Sequence, residues 1–236
     1  LGLIEAPIAL TNTLNVGLVL DALVEYSIQH NPEIGIRAST VNILVGETND
    51  GWLNDLQGRH VRKEHVWAAL AGASTAPVEE GATGAGTGTL CFGWKGGIGS
   101  ASRVLPQDWG GFTVGALVQT NFGKPEELVV AGVAVGRDWQ PALVAEKSRD
   151  DAPGAGSVMV ILATDAPLSA LQLSRACRRA VAGLARTGSS LAHGSGDFVI
   201  GFSTAYRILQ QNDAALLSLP QLPDTAPALN GIFQAV

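Results

Sequence analysis

Cysteine, histidine and charge are all scarce in this chain of 236 residues. Its two cysteines, Cys91 and Cys177, lie far apart. They exclude a disulfide framework and a metal-spaced thiol pair, and they read as buried free thiols. The four histidines, His30, His60, His65 and His193, are scattered and lack a paired acidic cluster, so neither a metal site nor a cofactor is implied. Charged residues make up 15% of the chain and its net charge is -6. With no Lys/Arg cluster interleaved with aromatics, a nucleic-acid footprint and an anionic membrane surface are both excluded as partners. No apolar run approaches the roughly 20 residues of a membrane helix. The opening "LGLIEAPIAL" has neither a basic start nor a cleavage signature. Its first residue is Leu rather than Met, which suggests trimming and leaves cytoplasm and periplasm equally open.

What is abundant is apolar surface and glycine. Apolar residues at 46% suffice for a substantial core, and without a repeat or clear linker the chain reads as a single domain over 1–236. Its 29 glycines gather in particular loops, where backbone geometry therefore matters.

Hydrophobic periodicity alternates between strands and helices. Asn15 is placed to cap a helix with an apolar stripe at Val16, Val19, Leu20, Leu23 and Ile28. "VNILVG" (41–46) reads as a short buried strand and "KEHVWAALAGA" (63–73) as a helix. "GFTVGALVQT" (111–120) and "ELVVAGVAV" (127–135) read as two strands of a hairpin. "SVMVILAT" (157–164) is apolar on both faces, as a doubly covered strand is. Asp165 then caps a helix with Pro167 in its first turn, a face of Leu173, Cys177, Ala180, Val181 and Leu184, and a stop at Gly188. "DFVIGFST" (197–204) supplies another buried strand. The economical arrangement is layered α/β. The polar stretch 148–156 is the one candidate break, and it should be exposed.

Several stretches tempt a chemical reading. "GATGAGTGTLCFGWKGGIGSASR" (81–103) invites a phosphate loop, yet it meets neither GxxxxGK[ST] nor GxGxxG. A glycine-rich nucleotide-binding module is thus the alternative from another functional class. "HGSGD" puts His193, Ser195 and Asp197 on one face if extended, imitating a serine triad. In a working triad, acid and nucleophile approach opposite imidazole nitrogens, which three neighbours on one strand cannot manage. Glu47 and Asp50 in "ETND" read singly as turn-forming acids after a strand.

Taken in order, "TNT", "ETND", "GTGTLCFGWKGGIGSASR", "VQTNFG", "GS" followed by "ATDAPL", and "HGSGDF" with "FST" cover essentially the whole chain. The series resembles the D-aminopeptidase/β-peptidyl aminopeptidase family of self-processing serine aminopeptidases. That resemblance implies an αββα sandwich like that of N-terminal nucleophile hydrolases but with a different chain path. It also implies tetramers of processed subunits. Family members extend further at both ends, so the chain is expected to be a core without the family-typical terminal segments.

The resemblance also implies site roles. The Ser157 hydroxyl is expected to cut the chain at Gly156-Ser157, leaving pieces 1–156 and 157–236. The freed α-amino group has a reference pKa of about 7.7–8.0, so one residue supplies nucleophile and base. Ser195 and Asp197 fall on the family's relay positions and Asn121 on its oxyanion position. Glu47 falls on the carboxylate that binds a substrate's free amino group. Asn49, the other substrate-binding position, departs from the tyrosine of the D-aminopeptidase branch and leans the reading toward β-peptidyl aminopeptidases. Trp52, Phe92 and Trp94 are expected to shape the pocket. Alternatives within this layout are an L-aminopeptidase with D-amino-acid esterase or amidase activity, and an acyltransferase with a threonine nucleophile, against which Ser157 counts.

Overall fold

A computed structural model describes residues 2–139, 141, 156–209 and 218–236. The expected exposed loop 148–156 lies outside them except for Gly156. The chain is mixed α/β, and it divides into two compact units.

The first unit comprises Leu1–Gly99, Gln119–Met159 and Thr187–Asp197. Strands β1 (Ile8–Asn12) and β2 (Leu44–Thr48) pair in parallel, with Thr11 opposite Glu47 and Asn12 opposite Thr48. Helices α1 (Val16–His30) and α2 (Lys63–Ala71) bury Val19, Ala22, Leu23 and Val66 against Ala9 and Val45. Leu20 and Ile28, expected in the stripe, face solvent, because the buried face turns through Ala22 instead. Asn15 does not cap α1 with its side chain. It is fully buried, and its amide donates to Asn12 Oδ1 at 2.6 Å, while a 3-10 turn over Thr13–Asn15 leads straight into the helix. Strand β2 lies later than the apolar run suggested. Its parallel register with β1 carries the ladder through polar Glu47 and Thr48, and the Asn42 N–H donates instead to the Glu5 carboxylate at 2.9 Å.

Short strands β3 (Leu90–Cys91) and β4 (Trp94–Lys95) form an antiparallel pair. A third sheet, of four strands, has the order β5-β6-β7-β8, from β5 (Ile98–Val104), β6 (Thr113–Asn121), β7 (Ser157–Thr164) and β8 (Gly196–Ser203). Strand β7 has buried residues on both faces, as expected. Strand β8 is only half-buried, with Phe198 exposed.

The expected hairpin partner at 127–135 is not a strand. Ala131 and Gly132 take φ of 50° and 85°, closing a two-residue turn at the Val130–Val133 bridge, with 3-10 turns at Pro125–Glu127 and Val135–Arg137 on either side. The valines satisfy each other's backbone groups at 2.9 Å rather than extending a ladder.

The second unit comprises Ser100–Val118, Val160–Arg186 and Phe198–Val236. Its core gathers Leu105, Val114, Leu162, Leu168, Leu229 and Ile232 with Ala166 and Ala176 under helices α3 (Ala170–Arg186) and α4 (Pro227–Ala235). Asp165 does not cap α3, since its carboxylate accepts the Thr113 N–H at 2.7 Å. The cap is a Ser169/Gln172 pair: Gln172 N–H donates to Ser169 Oγ at 3.3 Å and Ser169 N–H to Gln172 Oε1 at 3.0 Å. Helix α4 was not anticipated, although Pro227 in its first turn and buried Ala228, Leu229 and Ile232 carry a helix signature.

In the first unit, Gly188 takes φ of 98°, and a Cβ there falls 1.7 Å from the Glu127 carbonyl oxygen. Gly188→Ala combines a left-handed backbone with a clash against main chain, and it is expected to cost about 2–3 kcal/mol, read from urea unfolding curves. A change below about 0.5 kcal/mol rules out that close approach.

Candidate active site

Strand β7 starts at Ser157, so the serine stands half-buried at the mouth of an apolar strand whose next residues, Val158 and Met159, are buried. Gly156, immediately before it, is pressed onto the end of β6. A Cβ at 156 falls 2.6 Å from Phe122 Cα and 2.8 Å from the Asn121 carbonyl oxygen. On its other side the Gly156 carbonyl accepts the Gly196 N–H at 3.0 Å.

Gly196 is flanked by Ser195 and Asp197, whose side chains bond at 2.7 Å, Ser195 Oγ donating to Asp197 Oδ1. The segment leading into them is a turn, not an extended strand. Ser195 N–H closes onto the Ala192 carbonyl at 2.9 Å, and Gly194 has φ of 90°. The turn leaves His193 exposed, so the one-face imitation of a triad dissolves.

The Asn121 side chain is held at both ends by backbone. Its Oδ1 accepts the Leu90 N–H at 3.0 Å and its Nδ2 donates to the Asn49 carbonyl at 2.8 Å. Opposite partners at the two ends fix which end is nitrogen, leaving the second Nδ2 hydrogen as a directed donor. Glu47, two residues before Asn49 on β2, has one carboxylate oxygen, Oε2, engaged by the Thr13 hydroxyl. Thr13 was not anticipated as a partner, although it is the last residue of the "TNT" motif. Asn49 itself is exposed, and its side-chain oxygen accepts the Gly51 N–H at 3.1 Å.

Beneath this cluster, buried Phe92 meets Phe122 edge-on with ring centroids 5.2 Å apart, and its N–H donates to the Phe122 carbonyl at 2.8 Å. Phe92 therefore supports the end of β6 from below. Trp52 and Trp94 are half-buried. The glycine-rich stretch is not built for phosphate. Lys95 Nζ donates to three carbonyl oxygens, of Gly86 at 2.7 Å, Thr89 at 3.2 Å and Gly96 at 2.7 Å. An anion cradle presents N–H groups with a free lysine, whereas this loop turns carbonyls onto one. Desolvation lowers the Lys95 pKa, with the Asp50 charge opposing it. Among the described residues no three His, Cys, Asp or Glu side chains gather as metal ligands, and no helix is long and apolar enough to cross a membrane.

With this geometry in place, similarity to known proteins is informative. The sequence matches peptidase family S58 over residues 1–236. It is 40% identical over 243 residues to the β-peptidyl aminopeptidase BapA of Sphingosinicella microcystinivorans, covering 99% of this chain and 60% of that protein. It superposes on a Burkholderia sp. β-aminopeptidase with a TM-score of 0.86 at 40% identity, covering 98% of this chain and 63% of the other. The L-aminopeptidase D-Ala-esterase/amidase of Ochrobactrum anthropi, described as a variant of the Ntn hydrolase fold, gives 0.79 at 36% identity, covering 96% and 63%. The chain thus spans about 60% of the length of the curated relative it matches.

Cys91 lies one residue from Leu90 in this cluster, and burial pushes its thiol up to about 11, with Thr120 and the Phe122 backbone opposing. At pH 8 only about one molecule in a thousand then carries the thiolate. Native Cys91 is expected to react with iodoacetamide about a hundredfold more slowly than in the urea-unfolded chain. Equal rates, read by peptide mass spectrometry, contradict that burial.

Proposed function

The chain belongs to peptidase family S58, and from that premise we propose that it is a self-processing N-terminal serine aminopeptidase, leaning to β-peptidyl substrates. Its action on whole substrates, its pieces 1–156 and 157–236, and its assembly as a homo-oligomer of processed subunits all belong to this reading. The observation that carries it is the grip on Gly156, whose carbonyl accepts a backbone N–H at 3.0 Å directly before a serine, from a residue set between Ser195 and Asp197.

Self-cleavage then runs through balanced steps. Ser157 Oγ adds to the Gly156 carbonyl carbon, and the Gly196 N–H stabilises the oxygen as charge gathers on it. The C–N bond breaks, the serine nitrogen takes up the proton lost by Oγ, and an ester remains. Water hydrolyses the ester, leaving Gly156 as a carboxylate and Ser157 as an amino terminus. In turnover that amine accepts the Oγ proton as the hydroxyl attacks a substrate carbonyl, and it returns the proton to the departing amine. Ser195 and Asp197 hold the amine and hydroxyl in register, and Asn121 Nδ2 gives its second hydrogen to the oxyanion. The other Glu47 oxygen receives the substrate's ammonium, while Thr13 fixes Oε2. A carboxylate so placed favours free amino ends over acylated ones. The β-peptidyl lean is supported by the 40% identity to BapA and to the Burkholderia sp. β-aminopeptidase.

Two variants test the reading. Ser157→Ala is expected to give one uncut, folded, inactive chain by intact mass, where the parent gives two pieces. Cleavage of the variant at the same bond sinks the proposal. Glu47→Gln is expected to retain self-cleavage while kcat/KM on a β-alanyl amide falls about 10–100-fold, the loss of one charge-assisted bond. Unchanged kcat/KM in the cleaved variant removes the ammonium-binding role.

A further inference from the structure

We infer that Asn49 is a positioning residue for the oxyanion donor Asn121 and not a substrate contact. The inference rests on the aminopeptidase reading above and deepens its account of that site.

A side-chain amide stabilises an oxyanion only if one hydrogen is aimed before the reaction begins, since a rotor that must reorient loses much of its value. Two backbone groups prevent that rotation here. Leu90 N–H holds the oxygen end at 3.0 Å and the Asn49 carbonyl holds the nitrogen end at 2.8 Å. The first is anchored within the β3–β4 pair. The second comes from an exposed residue just past the end of β2, where no ladder restrains it.

The Asn49 side chain supplies the missing restraint. Its Oδ1 accepts the Gly51 N–H at 3.1 Å, closing an Asx turn that fixes the peptide carrying the Asn49 carbonyl. The next residue locks the turn from within, for Asp50 is buried and its carbonyl accepts the N–H groups of Leu53 at 3.2 Å and Asn54 at 3.0 Å. Asp50 Oδ2 also accepts Asn54 Nδ2 at 3.1 Å. The geometry at Gly51 is equally tight, since a Cβ there lies 2.7 Å from Leu56 Cδ1 and 3.1 Å from Asn49 Oδ1. The Asn49 side-chain oxygen is thus engaged in its own turn, and its main-chain carbonyl is the group bonded to the Asn121 amide.

A positioning role and a substrate-contact role make opposite kinetic predictions. Loosening the turn lets the Asn121 amide wander, which lowers kcat and leaves KM nearly unchanged. Losing a substrate contact raises KM. The test is a double-mutant cycle on a β-alanyl amide, using Asn49→Ala, Asn49→Ser, Asn121→Ala and the Asn49→Ala/Asn121→Ala pair. Asn49→Ala is expected to lower kcat about tenfold, the worth of one ordinary hydrogen bond, with KM within about twofold. Asn49→Ser differs from it by one hydroxyl, which closes the same turn more weakly, and is expected to recover kcat to within about threefold of the parent. In the Asn121→Ala background, Asn49→Ala is expected to add less than about twofold, because the group it positions is already gone. Asn49 is exposed, so a thermal melt within a few degrees of the parent is expected for each of its variants. An effect confined to KM, a serine variant no better than alanine, or losses that multiply in the cycle each overturn the inference while leaving the aminopeptidase reading standing. An unchanged kcat in Asn121→Ala removes the oxyanion role itself, and the positioning role falls with it.

Discussion

The bond from the Gly196 N–H to the Gly156 carbonyl exists because only hydrogen atoms stand between Gly156 and the end of β6. A methyl group at 156 lies inside the contact distance of both Phe122 Cα and the Asn121 carbonyl, so any larger residue pushes the peptide off Gly196. The same constraint orders the rest of the site. It sets Ser157 at the first position of β7, it brings the Ser195–Asp197 pair alongside the peptide before the serine, and it places that peptide beside the residue carrying the Asn121 amide. Closeness of backbones, more than any side-chain contact, defines the geometry of this cluster.

The end of β6 must therefore be rigid, and the first unit invests buried polar groups in making it so. Gln119, fully buried two residues before Asn121, donates through Nε2 to the Thr48 hydroxyl at 2.7 Å and to the Thr11 carbonyl at 3.0 Å. These are the residues at the ends of β1 and β2 that flank Glu47. A satisfied donor in a low-dielectric interior is expensive to move, because shifting it strands a buried polar group. Strand β2, carrying the carboxylate, and strand β6, carrying the amide, thus share one hydrogen-bonding hub. Phe92, edge-on to Phe122, backs the same strand end with apolar contact.

Much of this was legible in the sequence where local chemistry agreed with the fold. The doubly buried strand at Ser157, the helix at Lys63 and the main part of the helix ending before Gly188 all follow from periodicity, which burial enforces directly. The misreadings share an origin in competition among hydrogen-bond partners, some near and some distant along the chain. "ELVVAGVAV" has the composition of a strand, but Ala131-Gly132 folds it onto itself. Asp165 has the position of a helix cap, but the Thr113 N–H claims its carboxylate. Asn15 likewise bonds Asn12 in place of the helix it precedes. Polar side chains choose among several partners of similar worth, and sequence spacing does not rank them. The site motifs were recognisable as an ordered set, whereas Thr13 against Glu47 and Gly196 against Gly156 are contacts between motifs, which no single motif encodes.

The glycine-rich segment shows how one composition serves opposite electrostatic ends. Glycines permit a tight path whether the loop turns N–H groups inward to hold an anion or carbonyls inward to hold a cation. Here the carbonyls of Gly86, Thr89 and Gly96 converge on Lys95, an internal cation that the chain itself supplies. Its desolvation outweighs the opposing charge of nearby Asp50, so its pKa lies below the ordinary lysine value. The consequence reaches the site, because Lys95 pairs with Leu90 across the β3–β4 turn, and the Leu90 N–H is what holds the oxygen of Asn121. The lysine of this stretch clamps the short hairpin that holds the amide of Asn121. The sign of the groups facing that lysine, invisible in a run of glycines, is what assigns the loop to scaffolding rather than to ligand binding.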